Sequence, residues 1–353
     1  MILKTDCRFF RGDIPCKPHK LEGVHCADCK HYDQTRQNIL IIKLGAIGDV
    51  IRTTTILHRL KADFPLSKIW WLTLTPEILP DEVDQKLPFN LQSIITLRAI
   101  NFDLLINLDK DKDACALAVQ LFGKTKRGFI LRNGICAPID EHAKGKFYTG
   151  LFDDVSQANT KSYQKEIFEI CTFSFKGEKY ILPNRNFIDA KWKFAKNKKV
   201  VGLNTGCGGR WTSRLWANEN WITLAKNLLK KGYEVILLGG ELEDAKNKLI
   251  AKKSGAKYFG HYELQKFISL VDRCDLVVTA VTMSMHIAIG LNKKIILFNN
   301  IFNKNEFELY GLGEIVEPGV KCNCYFKPTC ENNCMQHIKP NKVFDLVKKH
   351  LPK

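Results

Sequence analysis

Regular alternation of apolar and polar positions starts at Asn38. Residues 1–36 hold cysteine, histidine and charge without a periodic apolar stripe, which marks a small Cys-rich N-terminal appendage. Ile39-Leu40-Ile41-Ile42 is then an unbroken apolar run, the signature of a strand buried on both faces. Gly45, Gly48 and a helical stripe of Ile47, Val50, Leu57, Leu60 and Phe64 follow it. Apolar runs at residues 69–74, 93–97 and 102–108 predict further parallel strands with helical crossovers. Residues 131–161 break the pattern with Gly134, Pro138, Gly145 and Gly150, and predict a long loop or insertion. A helix is predicted near residues 162–173, and residues 177–199 read as an interdomain link.

A second alternation opens with the strand Val200-Val201-Gly202-Leu203. It predicts a helix at 218–231, a strand at 234–238, helices at 241–254 and 263–272, a strand at 276–279, a helix at 284–291 and a strand at 295–298. Two α/β halves of the doubly wound type follow, with boundaries at 37–185 and 186–353. Such halves are expected to face a cleft and to bind ligands at the carboxyl ends of their strands. At 353 residues the chain is long enough for two cores.

Composition narrows the class. Hydrophobic residues at 45% and charged residues at 26% describe a globular protein and argue against disorder. No apolar run reaches the roughly 20 residues needed to cross a bilayer. The first thirteen residues include Arg8, Arg11 and Asp13 without a continuous apolar core, so no secretory signal is visible and a cytoplasmic location is expected. The net charge of +17 favours polyanionic partners, whether nucleic acid, an anionic lipid surface or a phosphorylated ligand, although lysines such as Lys196, Lys198 and Lys199 also read as solvated surface.

Three segments carry candidate chemistry. In Lys43-Leu44-Gly45-Ala46-Ile47-Gly48-Asp49-Val50 a strand runs through two glycines into a helix. Asp49 falls in its first turn, where it either caps the helix or faces the ligand site. Asn204-Thr205-Gly206-Cys207-Gly208-Gly209-Arg210-Trp211, with Arg214 soon after, places glycines and two arginines before a helix, an arrangement suited to a diphosphate or to an ordinary exposed turn. In Thr279-Ala280-Val281-Thr282-Met283-Ser284-Met285-His286 a strand gives way to a helix. Thr282 and Ser284 stand where free amides bind anions, and His286, one turn in, faces the ligand or packs in the core. Asp109-Lys110-Asp111 superficially matches a metal-binding DxD, but helix capping explains it.

The order and separation of these segments resemble glycosyltransferase family 9, the heptosyltransferases. ILIIKLGAIGDVIRTTTIL is similar to that family's opening strand and GDV turn. GLNTGCGGRWTSRLWANENWITLAKNLLKKGYEVILLGG is similar to its donor-domain opening, and LVVTAVTMSMHIAIGLNKKIILF to its DTGxxH segment. The resemblance spans about residues 38–350. It implies a GT-B fold, an ADP-activated heptose as donor, and an inverting displacement that needs no metal for catalysis. It also implies Asp49 as general base, Arg214 against the diphosphate, Thr282 and Ser284 at a phosphate, and His286 as the motif histidine. Thr205, Gly206 and Arg210 join the donor loop, and Glu241 or Glu243 is expected at the ribose or adenine. Val281-Thr282-Met283 stands where the family has Asp-Thr-Gly, so a carboxylate and a glycine of the pattern are absent. The acceptor implied is lipopolysaccharide core or another cell-envelope glycan, with peripheral contact to the anionic inner membrane.

Eight of the thirteen cysteines form two end clusters. Cys7, Cys16, Cys26 and Cys29 lie in one; Cys322, Cys324, Cys330 and Cys334 lie in the other. Each set of four thiols is a candidate structural zinc shell, with packing thiols as the alternative, and the family resemblance adds iron at the second. Other readings are a protein-directed heptosyltransferase, a catalytically degenerate relative, and a metal-stapled nucleic-acid-binding protein. Against the last, no nucleic-acid motif interleaves the basic residues with aromatics, and no nucleic-acid partner is expected.

Overall fold

The computed structural model describes residues 1–183 and 192–352. The chain forms two compact units, Met1–Phe147 with Glu166–Glu178, and Tyr148–Lys165 with Lys179–Lys353. The boundary expected at residues 185 and 186 and the middle of the expected link lie outside the described residues.

The first unit contains α1 (Lys17–Glu22), β1 (Gln37–Ile42), α2 (Ile47–Thr53), α3 (Ile56–Asp63), β2 (Ser67–Thr73), β3 (Gln85–Pro88), α4 (Leu91–Arg98), β4 (Phe102–Asn107), α5 (Lys112–Gln120), β5 (Gly123–Arg132), β6 (Ile135–Pro138) and α6 (Glu141–Tyr148). Its sheet runs β3-β2-β1-β4-β5-β6. β1 lies between parallel neighbours, with Ile39 opposite Ile69 on one side and Leu104 on the other, which is why Ile39 to Ile42 are fully buried. The Cys-rich appendage belongs to this unit: Arg8 bonds Asp33 at 2.7 Å and Asp84 at 3.0 Å, and Asp84 also accepts the Ile69 amide.

Two expectations change here. Residues 93–97 are helical, not a strand, because the Asn90 side chain accepts the Ser93 amide as an N-cap while Ser93 and Leu97, four apart, turn to the core. The segment 131–161 is not one irregular loop. β5 and β6 form an antiparallel hairpin closed by Asn133-Gly134, both at positive φ (49° and 77°), a two-residue turn that such an Asn-Gly pair favours. α6 and α7 (Asp153–Ala158) follow, then α8 (Tyr163–Ile170).

The second unit adds β7 (Val200–Asn204), α9 (Asn218–Lys230), β8 (Glu234–Leu238), α10 (Asp244–Ser254), β9 (Lys257–Tyr258), α11 (Leu264–Asp272), β10 (Leu276–Ala280), α12 (Met283–Gly290), β11 (Lys294–Phe298), β12 (Gly313–Val316) and α13 (Pro340–His350). All pairings in its sheet, ordered β12-β11-β10-β7-β8-β9, are parallel. The helix expected from residue 241 begins instead as a 3₁₀ turn, Glu241–Glu243, before α10. Trp216, Trp221 and Phe298 pack ring on ring beside the sheet, with centroids 4.9–5.7 Å apart.

Candidate active site

In the second unit the loops after β7 and β10 converge because those strands are neighbours. Asn204, at the end of β7, donates from Nδ2 to the Gly206 carbonyl (3.2 Å), Thr279 Oγ1 (3.0 Å) and Thr282 Oγ1 (3.3 Å). Its short amide side chain thus stitches the two loops together. Gly206 lies against Glu243, whose carboxyl carbon would be 2.2 Å from any Cβ at that position, and Gly208 holds a left-handed φ of 72°.

Arg214 closes the arrangement. It sits at the end of a 3₁₀ turn, Thr212–Arg214, and donates from Nη2 to the Cys207 carbonyl at 2.8 Å, from Nη1 to the Val281 carbonyl, and at longer range from Nε to the Trp211 carbonyl (3.5 Å). These bonds use three of the five N–H donors of a guanidinium. No carboxylate pairs with Arg214 among the described residues, and burial pushes its pKa down. A desolvated cation held by neutral carbonyls beside a helix mouth favours an incoming anion. That mouth is the start of α12, where Thr282 is the N-cap residue without a side-chain cap bond and Ser284 is buried in the first turn.

The remaining donor-site candidates differ in their surroundings. Thr205 Oγ1 donates to Asn247 Oδ1 at 2.6 Å. Arg210 is exposed and lies over the Trp211 ring, 5.2 Å from its centroid. Glu241 is exposed on its 3₁₀ turn, whereas Glu243 turns back to accept the Gly240 amide at 3.0 Å. His286 is buried with its ring 5.9 Å from that of Tyr180. Lys246, which no motif flagged, donates to the Thr205 carbonyl at 2.8 Å, and burial lowers its pKa. One lysine among many carries no sequence signal of its own.

In the first unit Asp49 lies in the first turn of α2, half-buried, and its Oδ1 pairs with Arg52 Nη2 at 2.8 Å. The N-cap of that helix is Ala46, so Asp49 is not the cap. Asp109 is not a cap either. Its Oδ2 accepts the Leu44 amide (2.8 Å) and Lys43 Nζ (3.3 Å), which locks the exit of β1 to that of β4. Asp111 is the N-cap residue of α5 but makes no side-chain cap bond.

The cysteine clusters part company. Sγ atoms of Cys322, Cys324, Cys330 and Cys334 all lie within 4.8 Å of one another, with neighbouring pairs at 2.9–3.6 Å. A tetrahedron with metal–sulfur bonds of about 2.3 Å has edges of roughly 3.8 Å, so this cluster is of the size a metal ion requires. Burial works to raise the Cys330 thiol, but the Cys334 amide and the neighbouring thiols carry it down to about 7, while burial raises Cys334 to about 11. The four can hold a metal. The N-terminal four do not gather in this way. Cys7 is held in a bridge to Gln34, Cys16 precedes α1, and Cys26 and Cys29 flank a turn, so all four line a cavity of about 360 Å³ instead of a common ligand sphere.

Two parallel α/β units, one with an anion-ready helix mouth at its strand ends, define a GT-B glycosyltransferase. The chain belongs to glycosyltransferase family 9 (heptosyltransferase), whose profile matches residues 92–300. A family 9 glycosyltransferase from Veillonella parvula shares the fold with a TM-score of 0.67 at 15% identity, over 91% of this chain and 98% of that one. E. coli ADP-heptose lps heptosyltransferase II gives 0.64 at 15% identity, over 89% and 98%. TibC, an iron-containing dodecameric glycosyltransferase of enterotoxigenic E. coli, gives 0.56 at 11%, over 90% and 79%. Among curated protein sequences none matches. No helix among the described residues is long and apolar enough to cross a membrane.

Proposed function

We propose that this glycosyltransferase moves a heptose-type sugar, with inversion, from an ADP-sugar to a hydroxyl of a cell-envelope glycan such as lipopolysaccharide core. The observation that carries the reading is the buried guanidinium of Arg214 beside the start of α12, without a carboxylate partner among the described residues. The leaving diphosphate gains negative charge as the sugar–oxygen bond breaks, and a fixed cation with open helix amides stabilises that charge without a catalytic metal. Asp49 takes the proton from the acceptor hydroxyl, whose oxygen bonds the anomeric carbon from the face opposite the departing ADP. Thr205, Gly206, Arg210, Thr282, Ser284 and His286 complete the donor side, with Glu241 toward the nucleoside. The similarity to an E. coli ADP-heptose lps heptosyltransferase supports both the donor and the acceptor class. The protein works in the cytoplasm, and the +17 charge supports its peripheral contact with an anionic inner membrane.

Ligand-linked stabilisation tests the donor. ADP and ADP-heptose at about 100 times their Kd should raise stability by about 2.7 kcal/mol, with smaller melting shifts for UDP- and GDP-sugars. Equal indifference to all three nucleotide classes in folded protein would sink the reading.

We also propose that Cys322, Cys324, Cys330 and Cys334 hold structural zinc or iron, as four thiolates suit either ion and the similar TibC contains iron. Elemental analysis of protein purified without chelators should find one such ion per chain, and none in the Cys324→Ser, Cys334→Ser double variant. Metal-free wild-type protein that keeps its melting temperature would refute this.

A further inference from the structure

The turn that carries Arg214 is pinned from one side by the four-cysteine loop. Ser213 donates its amide to the Pro328 carbonyl and its hydroxyl to the Lys327 carbonyl, each at 2.8 Å, and Thr212 Oγ1 donates to the Pro328 carbonyl at 3.2 Å. Asn300 spans the join: its Nδ2 donates to the Ser213 carbonyl at 2.8 Å and to Cys334 Sγ at 3.3 Å. Aromatic packing runs the same way, with Trp211 against Phe302 and Phe326, and the Arg214 guanidinium 5.6 Å from the Phe302 ring centroid. Between β12 and the short 3₁₀ turn Cys334–His337 the loop has no helix or strand of its own. Besides the aromatic packing and the Phe326 amide bond to the Ile301 carbonyl (2.9 Å), the four gathered sulfurs hold it together, and an ion joining them would fix its shape.

We infer that Asn300 is a positioning residue: it couples the cysteine knuckle to the turn bearing Arg214, so an intact knuckle sets that guanidinium toward a bound diphosphate. This rests on the donor reading above. The Cys207 and Val281 carbonyls fix one side of the guanidinium and the Arg214 amide donates to the Trp211 carbonyl at 3.2 Å, while the adjoining Ser213 is held by the knuckle loop and Asn300. Release of that hold returns rotational freedom to the side chain, which must be lost again when phosphate binds.

Dissociation constants of ADP and adenosine, measured by calorimetry on the full chain, test this. Asn300→Leu, with metal content and circular dichroism unchanged, should weaken ADP about five- to tenfold, the scale of one lost hydrogen bond, and leave adenosine unaffected. A general structural defect would weaken both. Asn300→Leu should add nothing in an Arg214→Gln background, and wild-type protein stripped of metal under mild conditions should show the same ADP-specific loss. Wild-type ADP affinity in folded, metal-loaded Asn300→Leu overturns the coupling, as does wild-type affinity in the stripped protein if the variant does not fold. If Arg214→Gln itself binds ADP normally, the donor reading fails and the inference falls with it.

Discussion

Asp49→Asn is expected to lower kcat about 10²- to 10⁴-fold, the usual contribution of a positioned general base, with ADP affinity unchanged. The substitution keeps size and shape, and the new Oδ1 still accepts from Arg52, which holds the carboxylate at 2.8 Å in the native protein. What disappears is the capacity to take a proton. The effect should fall on kcat more than on KM, because the proton moves only as the new bond forms. Asp49 belongs to the first unit and the Arg214 loops to the second, so a nucleotide-binding assay separates a lost base from a lost donor site. Transfer by Asp49→Asn at the wild-type rate would remove Asp49 from the mechanism.

Trp221→Ala should cost about 3–5 kcal/mol of stability, the range for deleting a buried aromatic side chain. Its ring packs against both Trp216 (centroid distance 4.9 Å) and Phe298 (5.7 Å), and it is 2% exposed. For a domain of 150–250 residues that corresponds to a fall of roughly 6–20 °C in melting temperature. Trp221→Phe should lose markedly less. The indole Nε1 of Trp221 is buried without a hydrogen-bond partner among the described residues, so removing it relieves a desolvation cost while a ring still fills most of the space. Calorimetric melting of the two variants decides the matter. An equal loss in both would mean that the indole N–H is engaged after all.

Strands packed on both faces were legible because their apolar runs are local. Ile39 to Ile42, Val200 to Leu203 and residues 276–279 all lie in parallel strands with neighbours on either side. Residues 93–97 misled because a short apolar run reads alike as strand or helix, and the deciding signal was one residue outside it, the cap Asn90. The hairpin within 131–161 did carry a signal, Asn133-Gly134, but the glycines and proline around it made the region read as loop.

For the site, the sequence by itself determined the alternation of strands and helices, the two glycine-bearing loops and the four closely spaced cysteines near the C-terminus. Those features depend on residues near one another along the chain. Only the tertiary structure decided which groups meet. Arg214 reaches the Val281 carbonyl, Asn204 reaches Thr282, Asp109 reaches Lys43, and Asn300 links Ser213 to Cys334. Each pair is brought together by strand order or loop packing between segments far apart in the chain, so no local pattern encodes it. The same cause separates the two cysteine clusters: four thiols close in sequence converge when the backbone between them doubles back, as in 322–334, and not when a bridge, a helix and a turn hold them around a cavity, as in 7–29.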